Sequence, residues 1–287
     1  MVVIDDNKCK GCGDCIKICH ESCMYLEKDK IKIDYEYCSA CSQCIAICSK
    51  QALSWNGNPP VKFSKVKFPT EEQINELFGQ RRTIRHFQID KPSKELVEEI
   101  VNYGMLAPSH HHDFRIILVD DKRILGSIDD AVFRYNKRIY KYLYKPKIVR
   151  YLIKLISSPN IEKEFIRAKP KLENSLKLGK AYSNMPPIII LIVGDRNLPL
   201  STESAQYILY NIILYGMTRG VGSRLLVGNQ WFLNKNHKLK KLLGIEKKER
   251  IYGTLGIGYT AVKFRNKVTG RNFPVEWNGI KNNRILV

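Results

Sequence analysis

The chain has 287 residues, of which 44% are hydrophobic and 26% charged, and its formal net charge is +20. This composition is ordinary for a soluble globular protein. The longest clean apolar run, residues 188–193, has the length of a strand and excludes a membrane-spanning helix.

The positive charge is unevenly distributed. Residues 1–60 carry 7 Lys and 8 Asp or Glu, a balance of −1, so the remaining residues carry a balance of +21. Such a field attracts anionic substrates, acidic proteins, nucleic acid or anionic lipid without choosing among them. The N-terminus shows neither a basic region nor an apolar region of a secretory signal, which predicts a cytoplasmic protein.

All nine cysteines lie within residues 9–48, and eight of them form two runs with the same spacing. Each run has the pattern C-x2-C-x2-C-x3-C, and the second is shifted by 29 residues from the first. The runs are Cys9, Cys12, Cys15 and Cys19, followed by Cys38, Cys41, Cys44 and Cys48. The repeat indicates an internal duplication. Clustered thiols with no sign of an oxidising compartment favour metal ligation over disulfide bonds.

The duplicated run resembles that of the two-[4Fe–4S] bacterial ferredoxins, in which the fourth cysteine of each run ligates the other cluster. The resemblance implies an N-terminal dicluster ferredoxin-like domain over residues 1–60. The first cluster would be held by Cys9, Cys12, Cys15 and Cys48, and the second by Cys38, Cys41, Cys44 and Cys19.

The chain departs from the ferredoxin pattern in one respect, and one alternative to the clusters stays open. The proline that usually follows the fourth cysteine is replaced by His20 and Ser49. The alternative is a pair of zinc sites, for which the third and fourth cysteines of each run are surplus. The ninth cysteine, Cys23, falls at the repeat position of Ala52 and is predicted to be a small buried core residue.

A connector and a second module are predicted after this domain. Asn-Gly, Pro-Pro and spaced lysines within residues 56–69 indicate extended chain, with the linker at residues 61–72 and the second module at 73–287. Thr70 and Gln73 predict a capping box at the start of a helix, and a further helix follows Ser93. A helix is also predicted at residues 203–219, and strands at 115–119, 188–193, 225–227 and 251–257.

Helices between well-separated strands favour an α+β sandwich in which helices pack on a mixed sheet. No glycine-rich dinucleotide or phosphate-binding loop follows a strand, so a Rossmann site is not supported. Gly253, Gly256 and Gly258 lie inside an apolar strand, where they are predicted to allow close packing.

Four short motifs follow one another along the second module. They are Arg81-Arg82-Thr83-Ile84-Arg85-His86-Phe87, Ala107-Pro108-Ser109, Gly220-Val221-Gly222-Ser223 with Leu225-Leu226-Val227-Gly228, and Leu255-Gly256-Ile257-Gly258-Tyr259 with Arg271. The ordered set resembles the nitroreductase family of FMN enzymes. The resemblance implies a nitroreductase-like FMN-binding α/β sandwich and a homodimer with FMN at the subunit interface.

The same resemblance implies the flavin contacts. Arg81, Arg82 and Thr83 would hold the phosphate, the ribityl chain and the ring edge, Arg85 would lie by N1 and C2=O, and Arg271 would complete the phosphate grip. The amides of Val227 and Gly228 would face N5 and O4, and Leu226 in the same turn would also contact the cofactor. Arginine suits these roles because its fork binds phosphate and its charge is fixed. The alternative for the arginines is a solvated basic helix end.

The loop after Ala107 carries the candidate catalytic residue. Ser109 would contact the cofactor, and His112 takes the place of an asparagine that contacts the flavin in the family. An imidazole there can contact the ring or donate a proton to the substrate. The alternative is a polar surface loop.

Residues 134–180 alternate aromatic and aliphatic side chains with Lys and Arg, which predicts an amphipathic helix pair. One interpretation is a positively charged lid that selects anionic substrates or makes peripheral contact with a membrane. The other is a solvated helix face whose lysines extend their stems over apolar surface.

These features together predict an anaerobic oxidoreductase. Reduced ferredoxin or a similar low-potential donor would pass electrons through the clusters to FMN and on to a nitro, quinone or activated C=C acceptor. Direct use of NAD(P)H stays open. The rival hypotheses are an electron-transfer subunit without its own substrate and a cluster-based redox sensor that binds nucleic acid. Nucleic acid is not expected, because no zinc finger, RNP-type motif or helix–turn–helix is present.

Overall fold

The structure is a computed structural model that describes residues 1–64, 67–109, 111, 113–270, 273–277 and 280–281. Within these ranges no helix is long and apolar enough to cross a membrane.

The N-terminal 60 residues form two strand pairs and two short helices. The elements are β1 (Val2–Ile4), α1 (Asp14–Ile18), β2 (Met24–Glu27), β3 (Lys30–Ile33), α2 (Gln43–Ile47) and β4 (Leu53–Trp55). Strand β1 pairs antiparallel with β4, and β2 pairs antiparallel with β3. Val2, Met24, Ile31 and Leu53 form a small apolar core together with buried cysteines.

The 29-residue duplication is also present in the backbone conformation. Three pairs of positions related by this shift have positive φ: Gly11 and Ala40, Gly13 and Ser42, and Ser22 and Gln51. Cys23 and Ala52, which are related in the same way, are 4% and 3% exposed. The prediction that Cys23 is a buried core residue is therefore confirmed.

The second module places one four-stranded sheet between layers of helices. Its elements are α3 (Glu71–Gln80), α4 (Lys94–Asn102), β5 (Phe114–Val119), α5 (Lys122–Ile139), α6 (Lys147–Ile156), α7 (Pro159–Leu178), β6 (Ile188–Asp195), α8 (Ser201–Thr218), β7 (Val221–Leu225), α9 (Val227–Lys235), α10 (His237–Leu242) and β8 (Glu249–Tyr259). The short pair β9 (Glu276–Trp277) and β10 (Ile280–Lys281) follows. The sheet order is β5-β6-β8-β7.

Strand β6 lies at the centre of the module and is buried on both faces. Ile190 and Ile192 belong to the core layer of α4 and α8. Ile189, Leu191 and Val193 belong to the opposite layer, with α5, α9 and α10. Alternate side chains of a strand point to opposite faces, so this apolar run supplies both layers.

Most of the predicted elements are present, with two corrections. Thr70 and Gln73 form the predicted capping box, and Ser93 caps α4. The strand predicted at residues 225–227 is wrong, because β7 ends at Leu225 and Val227 already begins α9. The apolar character of this run comes from the buried Leu226 at the strand-to-helix turn. The prediction of a mixed sheet is also wrong, because all three ladders of the sheet are antiparallel; in the described residues only an isolated bridge between Thr83 and Ser223 is parallel.

The prediction that glycines in β8 allow close packing is confirmed. An ideal Cβ at Gly253, Gly256 or Gly258 would stand 2.7, 2.4 or 2.6 Å from the nearest side-chain atom. Gly222 of β7 is equally crowded, because its Cβ would stand 2.5 Å from Cγ1 of Ile84. Gly222 therefore allows the segment around Ile84 to lie directly against the sheet.

Substitution Gly222→Ala should lower the free energy of unfolding by about 1–3 kcal/mol, because the added methyl group overpacks this contact. Urea unfolding monitored by circular dichroism would measure the change. Gly126→Ala is the matched control, since nothing lies within 4 Å of its Cβ. Gly126 is inside α5, so its replacement should leave stability unchanged or raise it by up to about 1 kcal/mol. Equal stability of the two variants would contradict the packing argument.

Candidate functional site

The first motif is an extended segment attached to the edge of the sheet. Thr83 pairs with Ser223 of β7, and the amide of Ile84 donates to the Ser223 carbonyl at 2.8 Å. Phe87 pairs with Thr260 just after β8. The arginine-rich segment is thus held by both β7 and β8, the strands that carry the third and fourth motifs.

Successive side chains of this segment line two different cavities. Arg82 and Ile84 line a cavity of about 570 Å³. Thr83 and Arg85 line a second cavity of about 390 Å³. Alternation along extended chain accounts for the division, and both volumes lie within the range of about 300–1,000 Å³ that is usual for small-molecule sites.

The second cavity gathers three cations from distant parts of the chain. Arg85, Lys171 of α7 and Arg224 of β7 line it, and the described residues of its lining include neither Asp nor Glu. Burial lowers the pKa of Lys171, and the neighbouring Arg224 and Arg85 lower it further. Burial also lowers the pKa of Arg224. Three like charges with no carboxylate among them are stabilised by an anionic ligand.

Tyr182 forms one wall of the second cavity. The Arg224 guanidinium lies 4.9 Å from the centre of the Tyr182 ring. The Tyr182 hydroxyl donates to Oδ1 of Asn229, and burial raises the pKa of Tyr182 to about 12. Asn229 is itself buried, and the described residues provide no hydrogen-bond partner for its Nδ2. The hydrogen bond between Tyr182 and Asn229 therefore connects the cavity wall to the first turn of α9.

The turn at the start of α9 exposes backbone donors just after the end of β7, and Val227 itself lines a different cavity from the second one. The amide of Leu226 donates to the Thr254 carbonyl at 2.9 Å, which fixes the turn on β8. Val227 and Gly228 follow as the first residues of α9 and are exposed. Amides in the first turn of a helix have no intrahelical acceptor, so these two can bind a ligand atom. The preceding residue, Leu225, lines the second cavity.

The Arg82 side chain binds backbone carbonyls. Its Nη1 donates to the carbonyls of Gly79 and Arg81 at 2.8 and 2.7 Å, and its Nη2 donates to the carbonyl of Asn266 at 3.3 Å. These bonds join the end of α3 to the segment after β8. Lys263, Arg265 and Lys267 line the 570 Å³ cavity together with Arg82. Among its described lining residues Glu76 is the one carboxylate, and it pairs with Lys267.

Of the remaining predicted flavin contacts, Arg81 and Ser109 are not among the residues that line the two cavities. His112 and Arg271 are outside the described residues, so their roles stay predictions. The Ser109 hydroxyl donates to the backbone carbonyl of His111, whose Nε2 lies 2.9 Å from Oγ of Ser201 at the start of α8.

Sequence reasoning missed four residues of this site: Lys171, Tyr182, Arg224 and Asn229. Arg224 stands within the third motif and could have been noticed there, because it is a cation in an otherwise apolar strand. Lys171 is one of many lysines in residues 134–180, and nothing in its neighbourhood distinguishes it from the others.

The N-terminal module contains two cavities, each lined by four cysteines of the two runs. One cavity is lined by Cys9, Cys12, Cys15 and Cys48, and the other by Cys19, Cys38, Cys41 and Cys44. Each set takes its fourth member from the other run. The structure therefore brings together the same two quartets that the ferredoxin resemblance implies.

Burial differs among these thiols. Cys12 and Cys41 are exposed, whereas Cys15 is buried. Burial raises the pKa of Cys44 to about 11. Cys23 lines the second of these cavities, with its Sγ 3.4 Å from that of Cys19. In the described residues, no group of three or more His, Cys, Asp or Glu is arranged for a single metal ion.

Comparison with known proteins identifies the second module. The model of the nitroreductase family matches residues 79–259, more than half of the chain. Curated proteins contain no match to this chain.

Solved structures share the fold at low sequence identity. A nitroreductase with bound FMN from Desulfitobacterium hafniense DCB-2 is 15% identical with a TM-score of 0.50, covering 70% of this chain and 97% of that one. Oxidized iodotyrosine deiodinase bound to FMN and 3-iodo-L-tyrosine is 20% identical with a TM-score of 0.50, covering 71% and 98%. A variant of the FMN and NADPH-dependent nitroreductase NfnB from Sphigopyxis sp. strain HMH is 15% identical with a TM-score of 0.50, covering 72% and 99%.

Proposed function

The chain belongs to the nitroreductase family and has its FMN-binding oxidoreductase fold, and from this premise we propose that it transfers electrons through two [4Fe–4S] clusters and FMN to a small acceptor. The acceptor class is a nitro compound, a quinone or an activated C=C bond. One observation carries the proposal: a single chain combines two four-cysteine cavities with a carboxylate-free cationic cavity in the family's fold.

The second cavity fits FMN by its size and its charge. FMN carries a phosphate dianion, and its ring gains negative charge near N1 and C2=O when it is reduced. Arg85 would lie beside that part of the ring, Arg81 and Thr83 would reach the phosphate and ribityl chain, and the amides of Val227 and Gly228 would face N5 and O4. Lys171 and Arg224 strengthen the positive potential of this cavity.

The bound groups would supply the redox chemistry, with one-electron transfer by the clusters and hydride transfer by the flavin. The residues of the chain would set the charge around the flavin and the access of the acceptor to it. Arg85 would hold a fixed positive charge at the ring, and Lys171 would draw an anionic acceptor towards it. Tyr182 is protonated at neutral pH, as an ordinary tyrosine is, and burial raises its pKa further, so its hydroxyl can donate to Asn229. His112 is proposed to donate a proton to the acceptor.

A homodimer with FMN at the subunit interface is part of the proposal. Ser109 and the arginine-rich segment do not line a common cavity within one chain. A second subunit would allow the loop of Ser109 and His112 to approach the cavity of its partner. This arrangement would bring together two motifs that line no common cavity among those described in one chain.

The two cysteine quartets support the cluster assignment. A [4Fe–4S] cluster takes one thiolate on each iron, which requires four thiols around a cavity. Positive φ at Gly11, Gly13, Ala40 and Ser42 turns the loops between the cysteines sharply around these cavities. Burial of Cys44 favours its neutral thiol, so cluster binding must also supply the free energy of deprotonation.

Anaerobic purification of the full chain with assays of iron, sulfide and released flavin tests the cofactor content. We expect about eight irons and one FMN per chain, and reduction of a nitroaromatic acceptor when reduced ferredoxin is the donor. Zinc in place of iron, or a protein that binds no flavin, would refute the proposal. An electron-transfer subunit would instead contain both cofactors and reduce no acceptor. A parallel assay with NADPH decides whether that donor is used directly.

A further inference from the structure

Helix α6 exposes its larger apolar face. Five apolar side chains on this helix, 45% to 78% exposed, form what we call the α6 stripe: Ile148, Tyr151, Leu152, Leu155 and Ile156. Their spacing of three and four residues places them on one side of the helix. Among the α6 side chains whose burial the structure describes, only Val149 and Ile153 are half-buried. A helix on the surface of a globular protein normally packs its apolar stripe inward. The exposed α6 stripe is therefore available to contact another molecule.

The exposed apolar surface continues on both sides of the helix. Tyr142 and Leu143, in the π-helical turn before α6, are exposed, and so is Ile161 near the start of α7. Single exposed apolar side chains are normal, whereas a contiguous group marks a surface that binds another molecule.

The charge of the surrounding chain favours one kind of occupant. Residues 131–161 contain eight Lys or Arg and no Asp or Glu. A second copy would bring two such segments together, and their like charges would repel each other. An anionic bilayer offers negative head groups to the lysines and arginines and an apolar interior to the α6 stripe.

We propose that α6 and its flanking residues bind the surface of an anionic lipid bilayer. Helix α6 has ten residues, so it is about 15 Å long, half of the roughly 30 Å of a bilayer's hydrocarbon core. The helix would therefore lie in the plane of the interface with the α6 stripe in the acyl boundary. This surface is separate from the flavin cavity, and the inference holds whatever the enzyme reduces.

Co-sedimentation of the full-length protein with lipid vesicles tests this inference. We expect at least about tenfold stronger binding to phosphatidylcholine vesicles that contain about one third phosphatidylglycerol than to pure phosphatidylcholine vesicles. Raising the salt from about 0.1 M to about 0.5 M should weaken the binding, because it screens the attraction of the lysines and arginines.

The double substitution Leu155→Glu with Ile156→Glu tests the apolar contribution. It should weaken binding to the anionic vesicles by at least about tenfold, since two carboxylates replace side chains that enter the bilayer. The matched control is Val61→Glu with Phe63→Glu, two side chains of the connector that are exposed to the same or a greater degree. It adds the same charge away from α6 and should leave most of the binding intact.

Three outcomes would overturn the inference. The first is that the unmodified protein does not bind anionic vesicles, and the second is that the two double variants bind them equally well. The third is that the unmodified protein is a dimer that binds no vesicles and the α6 double variant is a monomer. The last result would show that the α6 stripe is an interface between copies. Circular dichroism and a size-exclusion profile establish that both variants are folded.

Discussion

Substitution Arg85→Ala should lower the affinity for FMN by about 10- to 100-fold, because a charge-assisted hydrogen bond contributes about 1.5–3 kcal/mol. Arg85 lines the 390 Å³ cavity together with Lys171 and Arg224, so its loss reduces the positive potential at the ring. Quenching of flavin fluorescence during titration of the apoprotein would measure the dissociation constant. Arg85→Lys should be intermediate, since it keeps the charge and loses the planar fork.

Arg123→Ala is the control for this loss of charge. The Arg123 side chain is 94% exposed at the start of α5, and its ion pair with Asp121 spans 3.8 Å. This variant removes one arginine from the chain and should leave FMN binding unchanged. If both alanine variants bind FMN like the unmodified protein, the assignment of the flavin to the second cavity is wrong.

Substitution Cys12→Ser with Cys41→Ser should abolish turnover driven by reduced ferredoxin while FMN stays bound. The two residues line different quartet cavities and are both exposed, so the double variant removes one ligand from each proposed cluster with little effect on the core. We expect a decrease of more than about 100-fold, since changes in mere supporting residues already cost 10- to 100-fold at metal sites. Iron content and acceptor reduction would be measured on the same anaerobic preparation.

Cys23→Ala provides the matched cysteine control. Cys23 lines the same cavity as Cys41 but lies outside the quartets, and the duplicated half has Ala52 at this position. The variant should keep its iron and its ferredoxin-driven turnover. Undiminished turnover in a double serine variant that has lost its iron would refute the relay, even if the unmodified protein contains both clusters and FMN.

Local patterns were sufficient for most of the secondary structure. The side chains of Thr70 and Ser93 accept bonds from nearby amides, so a few residues determine where α3 and α4 begin. The buried strand at residues 188–193 could likewise be predicted, because six consecutive apolar residues are a local signal. The error at residues 225–227 arose because an apolar run of three residues fits a strand end and a buried strand-to-helix turn equally well.

The candidate site could be predicted only in part. The arginine-rich segment and the turn at Gly228 are short motifs and can be found by reading the chain. The cavity that they border also needs Lys171 and Tyr182, which lie between the first and third motifs and follow no recognisable pattern. The orientation of the α6 stripe was equally hidden, because an amphipathic sequence does not tell which of its faces packs inward.

The sequence by itself determined the cysteine duplication, the main strands and helices and the order of the family motifs, since each depends on residues close together in the chain. Only the tertiary structure decided that three cations converge without a carboxylate and that an apolar helix face stays exposed. Both follow from how α6 and α7 pack on the rest of the module, where residues far apart in sequence become neighbours. Such contacts depend on the shape and packing of whole elements and leave no periodic signal in the sequence.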